Sequence, residues 1–152
     1  MSKAIVVYYS KFGNTEKIAK ALAQGMKSGG LDAECVKVED VDPAKLVEYD
    51  VLALGAPTHA FGISQPMKDF LTKLENINLQ GKKGFAFDTR LGSPLSGSAA
   101  KGIEKRLQKH EVSIIRPHAS SKIKTIEGKA VLEENAEKEF EQIGNEIAMK
   151  TK

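Results

Sequence analysis

The run Ala4-Ile5-Val6-Val7-Tyr8-Tyr9 is apolar at every position, so neither face of the strand it would form suits water. A strand with two apolar faces belongs inside a sheet covered on both sides, the setting of parallel sheets flanked by helices. The run stops at Ser10-Lys11-Phe12-Gly13-Asn14-Thr15. From Asn14 to about Ser28, Ile18, Ala21, Leu22, Gly25 and Met26 recur at helical spacing, with Lys17, Lys20, Gln24 and Lys27 elsewhere. The stretch from Ser10 to Thr15 is therefore a strand-to-helix turn. Such a turn points the unpaired first N–H groups of the helix, and the positive end of its dipole, at whatever fills the loop mouth. Gly13 permits a tight turn and a close approach, and Ser10, Asn14 and Thr15 add short polar side chains. Two readings stand at this point: an anion cradle, or an ordinary turn in which Gly13 or Asn14 merely caps the helix.

The rest of the chain repeats the pattern. Glu34-Cys35-Val36-Lys37-Val38 alternates polar and apolar like an edge strand, and Pro43 is placed to open a short helix between Asp40 and Asp50. Val51-Leu52-Ala53-Leu54-Gly55 is a second buried run, followed by the loop Ala56-Pro57-Thr58-His59-Ala60-Phe61-Gly62. Ser64-Gln65-Pro66 then begins a helix whose Met67, Phe70, Leu71 and Leu74 share a face. Gly84-Phe85-Ala86-Phe87 is a third run, and its loop is Asp88-Thr89-Arg90-Leu91-Gly92-Ser93-Pro94. A helix over roughly 97–110, a strand at Val112-Ser113-Ile114-Ile115 and a last helix over about 135–149 complete the alternation. The segment from Ala119 to Leu132 has two readings, an extension of the fifth strand or a small hairpin around Gly128. Strands alternating with helices imply a parallel sheet with right-handed crossovers and helices on both faces. Ligands of such sheets bind beyond the strands' carboxyl ends at the switch in strand order, where the loops at Ser10, Ala56 and Asp88 converge.

Composition narrows the function. A chain of 152 residues has the size of one domain spanning 1–152. The single cysteine, Cys35, rules out an internal disulfide framework and suits a reducing compartment, and no metal cluster is expected. No apolar run is long enough for a membrane span, and the N-terminal run is too short for a secretion signal, so the expectation is a soluble, cytoplasmic protein. A net charge of +3 with both signs interspersed gives no argument for nucleic acid.

In these loops the chain resembles the flavodoxin-like family, in order along its whole length. Tyr9-Ser10-Lys11-Phe12-Gly13-Asn14-Thr15 is similar to that family's phosphate loop, and Gly55 to Gly62 followed by Pro66-Met67-Lys68 is similar to its isoalloxazine-facing loop. The resemblance implies a doubly wound, five-stranded parallel sheet of order 2-1-3-4-5, with FMN as cofactor. Carried over by position, Ser10, Lys11, Phe12, Gly13, Asn14 and Thr15 would hold the phosphate. Pro57, Thr58, His59, Ala60, Phe61 and Gly62 would line one side of the flavin, and Asp88, Thr89, Arg90, Leu91 and Gly92 the other. The absence of a long extra loop within the fifth strand makes the chain similar to the shorter members. The chain departs from the family in having no Trp, in placing Arg90 where an aromatic is common, and in being mildly basic.

The implied function is electron transfer between redox partner proteins, with no catalytic residue required because the flavin carries the chemistry. Two alternatives stay open: an FMN-dependent NAD(P)H:quinone-type oxidoreductase of the same fold, and a flavin-free interaction module. His59 either sits by the ring, where it can give a proton, or bonds to its own loop. Arg90 either exerts its charge on the flavin or pairs with Asp88. Cys35 reads as structural, with no basic neighbour and no second cysteine. Between Gly97 and Lys129, eight basic side chains face three acidic ones, which reads as a solvated face or as a docking face for an acidic partner.

Overall fold

A computed structural model describes residues 2–59, 62–92 and 97–151. Strand β1 (Lys3–Tyr8) lies beside β2 (Asp32–Lys37) on one side and β3 (Val51–His59) on the other, both parallel. A two-residue strand β4 (Gly62–Ile63) turns back on the end of β3, and β5 (Lys83–Leu91) runs parallel to β3. Beyond β5 lie β6 (Ser113–Ile114), β7 (Ala119–Ile126) and β8 (Lys129–Leu132). The main path is β2-β1-β3-β5-β7-β8. Its first five members reproduce the expected order 2-1-3-4-5.

Three features correct the sequence reading. First, β3 and β5 extend through Pro57–His59 and Asp88–Leu91, so these residues are strand and not loop. Alternation along a strand therefore divides each stretch between two faces. Second, the fifth strand comes in two pieces. β6 pairs Lys83 with Ser113, whereas β7 pairs Phe87 with Ala119, so two extra residues are accommodated between them. Pro117 lies in that interval, and a proline has no N–H to give a ladder. Third, both readings of 119–132 hold at once. β7 extends the fifth strand beside β5, then folds back at Glu127 (φ +52°) and Gly128 (φ +79°) into antiparallel β8.

The helices are α1 (Asn14–Ser28), α2 (Gln65–Lys73), α3 (Ala99–Lys109) and α4 (Ala136–Thr151). Pro43 opens a 3₁₀ turn, Pro43–Glu48, capped by the Asp42 side chain accepting from the Ala44 N–H at 3.0 Å. Two apolar layers sandwich the sheet. Val6, Phe85 and Phe87 meet Ile18, Leu22, Phe140 and Ile147 of α1 and α4 on one face, while Val7, Leu52, Leu54 and Ala86 meet Met67, Leu71, Ile103 and Leu107 of α2 and α3 on the other.

The first layer depends on two glycines. A Cβ on Gly25 of α1 would stand 1.9 Å from the Glu141 carbonyl oxygen of α4, and one on Gly144 would stand 2.2 Å from the Leu22 carbonyl oxygen. The two helices thus meet backbone to backbone. This contact holds α1, and the turn at its N-terminus, against the sheet.

Candidate functional site

Gly13 closes the turn between β1 and α1 with φ +90°, a conformation that costs other residues strain. An added Cβ there meets no atom of the described residues within 4 Å, so among them the loop mouth is open at this point. α1 has no side-chain cap, and its first internal bond is from the Lys17 N–H to the Gly13 carbonyl at 3.1 Å. The N–H groups of Asn14, Thr15 and Glu16 are left for an outside acceptor.

The polar side chains of the loop are engaged within the protein. Ser10 Oγ accepts from the Gly13 N–H at 3.1 Å, which leaves its own hydroxyl proton to donate. Thr15 Oγ1 lies 2.9 Å from Thr89 Oγ1, joining the first loop to the end of β5 in a buried pair. One of the two hydroxyls donates to the other, so the pair retains one proton for a ligand. Asn14 Nδ2 donates to the Ala130 carbonyl of β8 at 2.9 Å. The cradle thus consists of backbone N–H groups, with side chains setting their positions.

Ser10, Lys11, Phe12, Asn14 and Thr15 line a cavity of about 30 Å³ together with Pro57, His59, Thr89, Ile123 and Ala130. Strand alternation explains the membership. Pro57 and His59 of β3, and Thr89 of β5, reach the cavity, whereas the intervening Thr58 and Asp88 serve the opposite face. The fully buried Asp88 Oδ2 accepts from Thr58 Oγ1 (3.2 Å), Ser98 Oγ (2.8 Å) and the Ala100 N–H (3.0 Å), and Thr58 Oγ1 accepts from the Ala99 N–H (3.0 Å). These two side chains cap α3. A carboxylate at a helix N-terminus also meets the favourable end of the dipole.

Arg90 does not pair with Asp88. Its Nη1 donates to the Gly97 carbonyl at 2.9 Å, and its Nε is buried without a partner. Phe12 is 74% exposed and Leu91 54% exposed, so apolar groups stand open at the rim. His59 is exposed and paired in register with Gly62, and Gly92 lies beside the Lys122 side chain. Ala60, Phe61, Ser93 and Pro94 lie outside the described residues. Cys35 is away from this site, and burial pushes its thiol up to about 11.

Sequence reasoning missed Ile123 and Ala130, which reach the cavity only because β7 and β8 fold back against α1. A roomier groove of about 410 Å³ lies between β7 and the start of α4, where Lys122 and Lys124 face Glu133, Glu134 and Glu139. Its mixed charge and a lining that shares no residue with the small cavity set it apart from the cradle. Among the described residues, no three His, Cys, Asp or Glu gather as a metal site, and no helix is long and apolar enough to cross a membrane.

A doubly wound α/β sheet with a backbone anion cradle at the switch between β1 and β3 defines a protein that binds a phosphorylated ligand across its strand ends. The chain belongs to the flavodoxin family, whose model matches residues 6–143. It is similar to a flavodoxin of Clostridium saccharobutylicum, 36% identical over 88 residues that cover 57% of this chain and 55% of that protein. It is also similar to NAD(P)H dehydrogenase (quinone) 3 of Rhizobium meliloti, 31% identical over 121 residues covering 64% of this chain and 57% of the other. The chain thus spans somewhat over half the length of these curated relatives. Among solved structures, a flavodoxin from the domain Archaea superposes with a TM-score of 0.81 at 28% identity over 97% of both chains. Flavodoxin 1 of Bacillus cereus gives a TM-score of 0.84 at 22% identity, over 97% of this chain and 98% of its own.

Proteins of this family bind FMN, and the residues present fit its phosphate end. The uncapped start of α1 and the open position at Gly13 belong to the loop from Ser10 to Thr15, and Ser10, Asn14, Thr15 and Thr89 line one small cavity beside it.

Proposed function

We propose that residues 1–152 form a single domain that binds FMN and carries electrons between redox partner proteins in the cytoplasm. The observation that carries this reading is the uncapped start of α1, where N–H groups of Asn14, Thr15 and Glu16 face a mouth kept clear by Gly13. Bound FMN supplies the redox chemistry, accepting and releasing one or two electrons. The protein's part is to hold it. Ser10, Lys11, Phe12, Gly13, Asn14 and Thr15 form the phosphate loop, in which backbone N–H groups bind the phosphate oxygens and Ser10 and Thr15 add hydroxyl donors. Pro57, Thr58, His59, Ala60, Phe61 and Gly62 form one side of the flavin site, and Asp88, Thr89, Arg90, Leu91 and Gly92 the other. Within these sets Thr58 and Asp88 act by fixing α3, and Thr89 by fixing Thr15. Exposed Phe12 and Leu91 exclude water from the rim and meet a partner protein.

A second reading, an FMN-dependent NAD(P)H:quinone-type oxidoreductase, is supported by the likeness to quinone dehydrogenases. The two separate in one assay. The carrier reading expects FMN-loaded protein, photoreduced without oxygen, to pass electrons to cytochrome c, and expects no sustained oxidation of NADH or NADPH with a quinone present. Multiple turnovers with quinone would overturn the carrier reading in favour of the enzyme.

A further inference from the structure

We propose that the β7–β8 hairpin is the wall that selects the cofactor's terminus, admitting a phosphate monoester, as in FMN, and refusing a diphosphate that continues beyond it, as in FAD. The inference rests on the FMN reading and deepens it.

β8 is a four-residue antiparallel strand at the outer edge of the sheet, and it brings little to the core. Lys129 and Val131 are exposed, and Ala130 and Leu132 are half-buried. Its specific attachment is to the phosphate loop. Asn14 and Ala130 are 116 positions apart, yet the Asn14 amide, only 8% exposed, donates to the Ala130 carbonyl at 2.9 Å. Register places Ile123 opposite Leu132 and Thr125 opposite Ala130, so these four share the face turned toward α1, while Lys124 and Val131 take the other.

Ile123 and Ala130 consequently form part of the cavity's wall. At about 30 Å³ the cavity is a small multiple of the roughly 10–15 Å³ that one water requires. That suits a compact head group, and Ile123 and Ala130 obstruct a second phosphate bearing an adenosine on the hairpin side. Charge does not supply this selection. Lys11 on the loop attracts any phosphate, and FAD is as anionic as FMN. Refusal of FAD must come from the wall, a steric element set against the wrong ligand.

The test measures dissociation constants for FMN and FAD by quenching of flavin fluorescence and by calorimetry. Three full-length proteins are compared: wild type, Asn14→Ala, and a variant in which residues 125–130 are replaced by Asn-Gly, which joins Lys124 to Val131 through a two-residue hairpin turn. Wild type is expected to prefer FMN by at least 100-fold. In the shortened variant the preference narrows at least tenfold, mainly by a gain in FAD affinity, and Asn14→Ala moves the same way by a smaller factor. FMN should also slow amide exchange across 119–132 in wild type, a readout independent of the variants' folding. An unchanged FMN:FAD ratio in a shortened variant that keeps its circular dichroism overturns the proposal. Should that variant fail to fold, an unchanged ratio in Asn14→Ala together with no exchange protection across 119–132 overturns it. Wild type binding FMN and FAD alike overturns the proposal and leaves the FMN reading standing, whereas wild type binding neither flavin overturns both.

Discussion

Gly13 sets a steric and a conformational demand at one position, and the two can be told apart. Its φ of +90° penalises any side chain, by about 1–3 kcal/mol for a residue held in a sparsely populated region. No atom of the described residues lies within 4 Å of an added Cβ, so further bulk points into the space proposed for the ligand. Gly13→Ala and Gly13→Val should therefore lose similar stability in urea unfolding, apart from the few tenths that β-branching adds. Gly13→Val should lose at least a further tenfold in FMN affinity. Equal FMN affinity in the two variants would show that the mouth of the loop is not where the phosphate lies.

In the proposed flavin site Arg90 is the residue whose charge would bear on the ring. Asp88 is occupied at α3, and the described ion pairs do not include Arg90, so its charge is not cancelled by a bound carboxylate. Reduced FMN is anionic, and a nearby cation favours it. With solvent screening the effect is about 1 kcal/mol. On the scale where tenfold is 59 mV, that corresponds to about 40 mV for one electron. Arg90→Gln should lower the midpoint potential of bound FMN by tens of millivolts in a reductive titration against a reference dye. A potential unchanged within error would mean that the guanidinium acts only on the Gly97 carbonyl.

Among the elements, α1 and α4 carry the tightest fit. The Gly144 Cα faces the backbone of Leu22 and Met26, with 2.2 Å to the carbonyl oxygen from an added Cβ. Gly144→Ala must push the helices apart, and overpacking of this kind typically costs about 1–3 kcal/mol. Alanine's better helix propensity returns about 1 kcal/mol at most. A net loss near 2 kcal/mol in urea unfolding is expected, and a stabilised Gly144→Ala would contradict the packing described.

The elements also show what could be read beforehand. β1, β3 and β5 were legible because apolar runs without polar interruption suit only a sheet covered on both faces. The helices were legible from their apolar stripes. The ends of β3 and β5 were not, since Pro57-Thr58-His59 and Asp88-Thr89-Arg90 have the composition of turns, and only pairing with neighbours makes them strand. With that extension missed, the alternation that sends Thr89 to the cavity and Asp88 to α3 went unseen. The Asn14–Ala130 bond was illegible for a different reason: it depends on how β7 curls after Pro117, a long-range consequence with no local signal.

Across the whole molecule, burial gives a defined response to alkali. It pushes the Cys35 thiol up to about 11 and Tyr8 up to about 12, with the Glu16 carboxylate adding to the latter. Tyr49 is likewise pushed up to about 12 by burial, and its hydrogen bond to Glu34 adds to the shift. In each case the folded state holds its proton more tightly than the unfolded chain does. The associated stability is intact below the ordinary values of 9.0 for the thiol and 10.0 for the phenols, and is lost as pH rises toward 11 and 12. Urea midpoints should therefore fall steadily from pH 9 upward. A midpoint flat to pH 11 would contradict the burial of these groups.

The proposed function rests above all on the turn from Ser10 to Thr15 holding the phosphate of FMN. The direct measurement is titration of the flavin-free protein with FMN and with riboflavin, which differ by that phosphate alone. Hydrogen bonds to a charged group contribute about 1.5–3 kcal/mol each. Two of them already amount to at least about 3 kcal/mol, or more than 100-fold in affinity. FMN should bind at least 100-fold more tightly than riboflavin, and equal affinities for the two would contradict the account.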